Sequence, residues 1–392
     1  MHQNIVVYNR DSVCVARGQI DGSVLIEAAD AQLVLQRAVD LVGEKGGAVC
    51  LQPGDYPLGA TLQLRSRVEL QGSGRATRLL AQPGLKDPAI LGRGLKHTSV
   101  SALAVHSAES HAASAGVVLD DCGDSQVRNV HAQGFADYGL WLRNNSFLCT
   151  IDGCSAADNA KANILADTLE RGGRGGDWVP NLIVNCTTYR GGCGVEVRRA
   201  VVLNILGCQV YQPARYGFLI AKMSNSVLVS GCRTFQVELD AVCVDTSHEI
   251  NISSNIFCWH RGHSLVFRDV CWGTASGNNF IDAGVRARDG KPVHGVSLEG
   301  TTRGVQVVGN AVFNWGDQVP MAAGIWEAPT CRNNLISGNN VNYCAEEGTV
   351  VARGAGSHVG DNVRIPREAH LGMSDSAVPD FDTERIDRFL RQ

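Results

Sequence analysis

Gly194-Val195-Glu196-Val197-Arg198-Arg199, Gly217-Phe218-Leu219-Ile220-Ala221-Lys222 and Ala241-Val242-Cys243-Val244-Asp245-Thr246 are one unit written three times. Each opens on a small residue, then alternates apolar with variable positions. A second signal follows in each unit: Gly207-Cys208, Gly231-Cys232 and Ser254-Asn255. The period is 23 or 24 residues. Carried outward, the register starts at Gly116, Gly139, Asn163, Gly194, Gly217, Ala241, Ser264, Gly295, Gly324 and Thr349, with longer steps where a loop is inserted. Repetition at this period marks a solenoid or a propeller. The apolar period of two inside each unit is that of a strand, and no unit carries a helical stripe. A propeller blade of four strands needs about 40 residues. The shorter unit here holds about three short strands and three turns, one coil of a solenoid whose neighbours stack at strand spacing. The sequence therefore predicts an all-β chain: a single right-handed parallel β-helix of ten or more coils over residues 48–365. Strands and a capping helix precede it in 1–47, and a tail with a short helix follows in 366–392.

Composition narrows the function classes. Over 392 residues the net charge is −4 with both signs interspersed, so no phosphate-tracking surface and no nucleic-acid partner are expected. Among the 14 cysteines, Cys154, Cys186, Cys208 and Cys232 share one coil position, which Asn255, Asn310 and Asn339 then occupy. A stacked column of small buried side chains accounts for this better than disulfides do. Free thiols suit a reducing compartment. The first residues show no basic region followed by an apolar run, and no window approaches a membrane span. A soluble, cytoplasmic protein without a membrane partner is the expectation. No metal-ligand spacing occurs, so no cofactor is expected.

At the N-terminus, residues 1–28 read as two short strands around Gly18 and Gly22. Asp30 is a helix N-cap, and Val34, Leu35, Ala38, Val39 and Val42 recur at helical spacing until Gly46-Gly47. A β-helix exposes its first coil edge-on, and this helix is the expected lid. Ala48 to Leu51, Thr61 to Leu64 and Arg67 to Leu70 read as strands. Pro53-Gly54-Asp55-Tyr56 reads as a turn, and Gly72-Ser73-Gly74-Arg75 as a turn between coils. This run, from helix through Pro53-Gly54-Asp55-Tyr56 to Val68-Glu69-Leu70-Gln71-Gly72-Ser73-Gly74, resembles the opening of pectate-lyase-like proteins. The resemblance implies the β-helix fold and action on carbohydrate.

Within each unit the outward positions form a strip. It carries Asp120, Arg143, Asp167, Arg198, Asp245, Arg268 and Glu299, with Trp141, Glu196 and Trp326 beside them and Arg199, Lys222 and Asp269 at its edge. Carboxylates, arginines and aromatics on a flat surface suit sugar rings, which need bidentate hydrogen bonds and apolar stacking. The turns Tyr211 to Tyr216, Gln236 to Asp240 and Trp259 to His263 hold aromatics, arginines and histidines where a simple turn would hold Gly, Asn, Asp or Ser. They occupy matching positions on three adjacent coils and are expected to converge. Candidate catalytic groups are Glu196, Glu238, Asp240, Asp245 and His263. Candidate substrate-binding groups are Arg198, Arg215, Tyr216, Lys222, Gln236, Trp259, His260, Arg261, Arg268 and Asp269.

Asp240-Ala241-Val242-Cys243-Val244 and Gly262-His263-Ser264-Leu265-Val266-Phe267 resemble two successive catalytic segments of polygalacturonases. That resemblance implies a cleavage site at Asp240 and His263, although Leu239 and Tyr216 stand where that family has aspartates. Val195-Glu196-Val197 resembles a strand of inulin fructotransferases, with Lys222 where an acidic residue would stand. The expected function is cleavage of a glycosidic bond in an oligo- or polysaccharide, by hydrolysis or intramolecular transfer, with one carboxyl protonated and one ionised. A second possibility is a lyase, in which His260 or His263 removes a proton beside a uronate carboxylate held by Arg215, Lys222, Arg261 and Arg268. A third is a glycan-binding or structural solenoid. Insertions at 168–180 and 283–294 are long enough to wall a groove or to touch another subunit of a homo-oligomer, a trimer being one arrangement of this fold.

Overall fold

The computed structural model describes residues 4–168, 180–284, 290–314, 321–342 and 348–365. Most of the two insertions and the whole of the tail after 365 lie outside the described residues. Most coils contribute three strands in fixed order; in two, Ser99–Ser107 and Gln126–Gln133 each span the first two rows as one strand. In one coil Val201–Leu206 lies in a base row, Gln209–Tyr211 in a flank row and Phe218–Ala221 in a front sheet. The next coil repeats the order with Asn225–Ser230, Arg233–Val237 and Val242–Asp245. Leu203 pairs with Val227, Val210 with Thr234 and Phe218 with Val242, all parallel. The chain is a right-handed parallel β-helix, as its repeat predicts. Among the described residues its front sheet has twelve strands, from Leu62–Gln63 to Gly348–Ala352. Two of these, Leu62–Gln63 and Ile90–Arg93, precede the first start read from the repeat at Gly116.

Two local requirements explain the recurring small residues. The corner from base row to flank row needs a left-handed backbone, supplied by Gly207 (φ 63°), Gly231 (φ 65°) and Ser254 (φ 57°). Front strands open on a small residue because coils approach closely there. A Cβ on Gly194 would lie 2.6 Å from the Gly217 carbonyl oxygen, and one on Gly217 would lie 2.5 Å from that of Ala241.

Just after the corner runs the predicted column. The Cys208 thiol donates to the Ile183 carbonyl at 3.7 Å and the Cys232 thiol to that of Ile205 at 3.6 Å. From Asn255 the column becomes an amide ladder that takes in Asn278, Asn310, Asn339 and Asn362. The backbone N–H of each of the first four donates to the next side-chain Oδ1 at 3.0 Å. Each side-chain amide also donates to a carbonyl one coil back, as Asn278 does to Ile252 at 2.8 Å. An amide carries a stronger donor and acceptor than a thiol, so it splices the coils more firmly. The thirteen described cysteines are free.

The N-terminal end is closed as expected, with one more strand than the sequence suggested. Ile5–Arg10, Val13–Gly18 and Val24–Ala28 form an antiparallel set, and Ile5–Arg10 also pairs in parallel with Gly47–Leu51. The helix Ala31–Gly43 starts at Asp30, whose carboxylate accepts from the Gln32 N–H at 2.9 Å. Its buried face is Ala31, Val34, Leu35, Ala38, Val39 and Val42. Each buried valine or leucine there contributes about 1.5–3 kcal/mol. The expected turn Pro53-Gly54-Asp55-Tyr56 is corrected: Gly54–Leu58 is a strand paired with Thr77–Ala81. Burial of Tyr56 explains this, its hydroxyl donating to the Gln52 carbonyl at 2.8 Å and pinning the bend at Gln52-Pro53. Among the described residues no helix is long and apolar enough to cross a membrane.

Candidate active site

The best-built cluster sits on the outer side of the front sheet, where Val242–Asp245, Leu265–Arg268, His294–Glu299 and Ala323–Glu327 lie side by side. Asp240 immediately precedes the first of these strands. The backbone N–H of His263 donates to Asp240 Oδ1 at 2.8 Å. A side chain at Gly262 would collide with that oxygen, so the glycine before His263 makes room for the carboxylate. The backbone N–H of His294 donates to His263 Nδ1 at 2.9 Å. His263 Nδ1 also lies 3.3 Å from the His294 carbonyl oxygen, and its Nε2 lies 3.9 Å from Glu299 Oε1. Glu299 is gripped by Arg268 at 2.8 and 3.0 Å and by the Ser297 hydroxyl at 2.9 Å. His263 stacks on His294 at 5.4 Å, and His294 on Trp326 at 5.2 Å with their planes 4° apart.

The two carboxyls are tuned in opposite directions. Burial raises the pKa of Asp240, and the charge of Glu299 adds to the rise; the neighbouring His263, with its N–H, and Arg268 only partly offset this. Burial also acts on Glu299, but the hydrogen bonds from Arg268 and Ser297 outweigh it and hold Glu299 below its ordinary value. Burial pushes His294 down to about 4, so its ring is neutral. Side chains here remain reachable, with His263 17% and Glu299 23% exposed.

Of the residues singled out from sequence, Asp240, His263 and Arg268 meet in this cluster. Tyr216 and Arg215 stand at the start of the adjacent front strand, the Arg215 guanidinium 5.5 Å above the Tyr216 ring. Glu238 and Arg261 lie at the same flank-to-front corner and pair with each other at 2.6 Å. Glu196 is buried on the front sheet two strands away and is closed by Arg198 at 2.5 Å. Asp245 occupies the far end of its strand, accepting from the Thr246 hydroxyl at 2.9 Å. Lys222 and Asp269 take left-handed positions at the front-to-base corner, and Asp269 binds the Thr301 N–H at 2.8 Å. Gln236 accepts from Gln212 at 2.7 Å, and the Trp259 indole donates to Asp282 at 2.9 Å, both at the end of the flank row.

His260 is a correction. It ends a flank strand, points into the core with 0% exposure, and burial drives its pKa down to about 3. It cannot touch a substrate. Glu299, His294 and Trp326 were not among the candidates. Glu299 and Trp326 were visible in the outward strip, and His294 precedes Gly295 as His263 precedes Ser264. Their importance lies in what they face two and three coils from Asp240. Among the described residues no three histidine, cysteine or acidic side chains gather as metal ligands.

Comparison with known proteins agrees with the architecture. Residues 168–312 match the family model described as a right handed beta helix region. No curated protein sequence matches the chain. The structure is similar to the A-module of the mannuronan C-5 epimerase AlgE6 of Azotobacter vinelandii, with a TM-score of 0.72 at 15% identity over 86% of this chain and 95% of that one. The AlgE4 A-module of the same organism gives 0.65 at 14%, over 86% and 93%. The tailspike protein of E. coli bacteriophage HK620, solved in complex with a pentasaccharide, gives 0.61 at 14%, over 84% and 76%. At these identities the likeness is one of fold.

Proposed function

We propose that this protein is a carbohydrate-active enzyme that breaks a glycosidic bond at the Asp240, His263 and Glu299 cluster. One observation carries the reading: on an accessible face, a carboxyl whose pKa burial raises and a carboxylate that an arginine holds below its ordinary value flank one imidazole. Two carboxyls with pKa values pushed apart are what acid-assisted glycoside cleavage uses. Asp240 gives its proton to the departing glycosidic oxygen. Ionised Glu299 faces the positive charge that builds at the anomeric carbon, and water or a substrate hydroxyl completes the substitution there. His263 Nε2 orients a sugar hydroxyl between them, and the His294 and Trp326 stack offers the apolar side of a sugar-binding surface. Likeness to a tailspike solved with an oligosaccharide supports a glycan as the ligand class.

A second reading has its own observation. Arg215 is exposed beside Tyr216 and makes no carboxylate ion pair among the described residues. A cation at the mouth of the site would hold a uronate carboxylate while a proton is removed beside it. Lyase or epimerase chemistry would follow, and two similar structures are mannuronan C-5 epimerases.

A panel of neutral and uronate-containing oligosaccharides separates these readings. New reducing ends or anhydro products, lost in both Asp240→Asn and Glu299→Gln, support bond cleavage by the carboxyl pair. Unsaturated or epimerised uronates that survive Glu299→Gln but vanish in Arg215→Ala would establish the second reading instead. Tight binding with no product from any sugar would leave a glycan-binding solenoid.

A further inference from the structure

On the outer side of the flank row, away from the front sheet, a serine, a histidine and an amide are joined in one chain of hydrogen bonds. His131, on Gln126–Gln133, pairs in register with Ser155, on Ser155–Ala157. Ser155 Oγ lies 2.8 Å from His131 Nδ1, and His131 Nε2 lies 3.3 Å from Gln133 Oε1. Gln133 Nε2 donates to Asp158 Oδ2 at 3.0 Å, and Arg190 grips Asp158 at 2.7 and 2.9 Å. These contacts set every proton. A carboxylate only accepts, so the Gln133 amide must point its NH2 at Asp158 and its oxygen at His131. His131 Nε2 then carries the hydrogen, and Nδ1 is left to accept from the Ser155 hydroxyl. Arg75, carried on the short 3-10 turn Gly74–Ala76, donates to Ser155 Oγ at 3.1 Å. A cavity of about 340 Å3 opens onto Ser155 and His131, lined also by Arg75, Asn129, Tyr189 and Gln209.

We propose that Ser155, His131 and Gln133 form a second active site, which hydrolyses O-acyl esters of a polyhydroxy alcohol. The arrangement has the roles of a nucleophile, its base and the group that orients the base, with an amide as the third member. Ser155 Oγ attacks the ester carbonyl carbon while its proton passes to His131 Nδ1. The acyl C–O bond breaks, and the departing alcohol takes that proton from His131. Water, deprotonated by His131, then attacks the acyl carbon, releasing the carboxylic acid and restoring Ser155. Arg75, 3.1 Å from Ser155 Oγ, places a positive charge next to the attacking oxygen. Arg75, Asn129, Asn185 and Gln209 in the lining suit an acyl group on a hydroxylated carrier. Burial, with Arg75 and His106 adding to it, drives His131 down to about 4, so the ring is neutral and free to accept a proton. A base so weak turns over slowly, and covalent capture is the right readout.

The proposal does not depend on the front-sheet chemistry. The full chain is incubated with a fluorophosphonate, which loses fluoride when a serine alkoxide attacks phosphorus, and adducts are located by peptide mass spectrometry. One adduct on Ser155 is expected, absent in Ser155→Ala and formed about 100-fold more slowly in His131→Gln. Thermal melts and circular dichroism confirm that both variants are folded. No adduct on Ser155 after prolonged exposure, or labelling undiminished in folded His131→Gln, would reduce the chain to a structural hydrogen-bond relay and overturn the proposal.

Discussion

The two halves of the front face use the same register to opposite ends. In the N-terminal half every prominent carboxylate is neutralised in place: Asp120 sits between Arg93 at 3.2 Å and Arg143 at 3.0 Å, and Arg199 holds Asp167 at 2.6 and 2.7 Å. An open cavity of about 670 Å3 runs past these pairs and Trp141. In the C-terminal half Asp240 receives a backbone N–H and a nearby imidazole, and among the described residues no arginine or lysine forms an ion pair with it. Its neighbour Glu299 is given a guanidinium. An arginine beside a carboxyl favours its anion, whereas burial without an ion-pair partner favours the protonated form. What stands one coil away therefore separates a solvated ion-pair face from an acid.

The sharpest break of this comparison is Asp240→Asn. Loss of the acid is expected to lower turnover of a responsive glycan by about 1,000-fold. Stability moves the other way. Because the folded pKa of Asp240 is raised, the fold penalises its carboxylate, and wild-type stability is lost as pH rises through that pKa. The variant is therefore expected to melt above wild type near pH 7–8, with the gain shrinking on acidification. A variant that melts lower at neutral pH would show that the carboxylate stabilises the fold and would erase the distinction between the halves.

Glu299→Gln sharpens the same contrast from the other partner. Turnover is expected to fall by about 100-fold. Removing its negative charge also lowers the pKa of Asp240, so the alkaline limb of the residual pH–rate profile should shift to lower pH. An unmoved limb would mean the two carboxyls do not sense each other.

Much of this was legible in sequence, for a physical reason. Coil register is carried by inward valines and isoleucines, left-handed corners and the Cys/Asn column, each of which leaves a mark every coil, so the parallel β-helix and its helical lid follow from counting. Asp240 and His263 drew attention because their turns break the pattern of simple ones, and Arg268 because it stands in the outward strip. Glu299 was placed in the outward strip, yet its pairing with Arg268 and its view of His263 depend on side-chain direction across coils. His260 misled because Trp259 to His263 reads as a turn, whereas Ile256–His260 is a strand that His260 ends. Trp259, at φ 57°, inserts a left-handed residue that turns His260 inward. The Pro53 to Tyr56 segment misled through composition, since burial of the tyrosine outweighs turn propensity there.

Beneath both halves lie neutral histidines: His106 and His131 are driven to about 4 in the N-terminal half, and His260 to about 3 and His294 to about 4 in the C-terminal half. Burial is the leading cause in each. A depressed folded pKa contributes stability present above the unfolded value and lost as pH falls through the folded one. Melting temperature is expected to drop steadily from about pH 6.5 toward pH 4, by the equivalent of a few kcal/mol. His260→Leu should flatten that slope; an unchanged slope would assign acid sensitivity to the carboxylates instead.

The column offers a smaller version of the same contrast. Asn278→Ala strands the buried Asn255 N–H and the Ile252 carbonyl, which it serves at 3.0 and 2.8 Å. A cost of about 2–3 kcal/mol in denaturant melts is expected. Cys208→Ala removes a weak thiol donor and some volume, for about 1 kcal/mol. Equal costs would mean that volume alone sets the column.

The smallest expected effect is the most direct test of the N-terminal half. Arg93 is 64% exposed, and Asp120 keeps Arg143 and the Asn144 amide when Arg93 is lost. Arg93→Gln is therefore expected to cost less than about 1 kcal/mol, screened further by salt. Turnover of short oligosaccharides should be unchanged, because Arg93 lies several coils from Asp240. If turnover of longer oligosaccharides alone falls, this ion-pair face also holds glycan, and the contrast becomes one of binding against catalysis along a single groove. If short and long substrates are affected alike, Arg93 reaches the acid through the fold, and the two halves of the face are not independent.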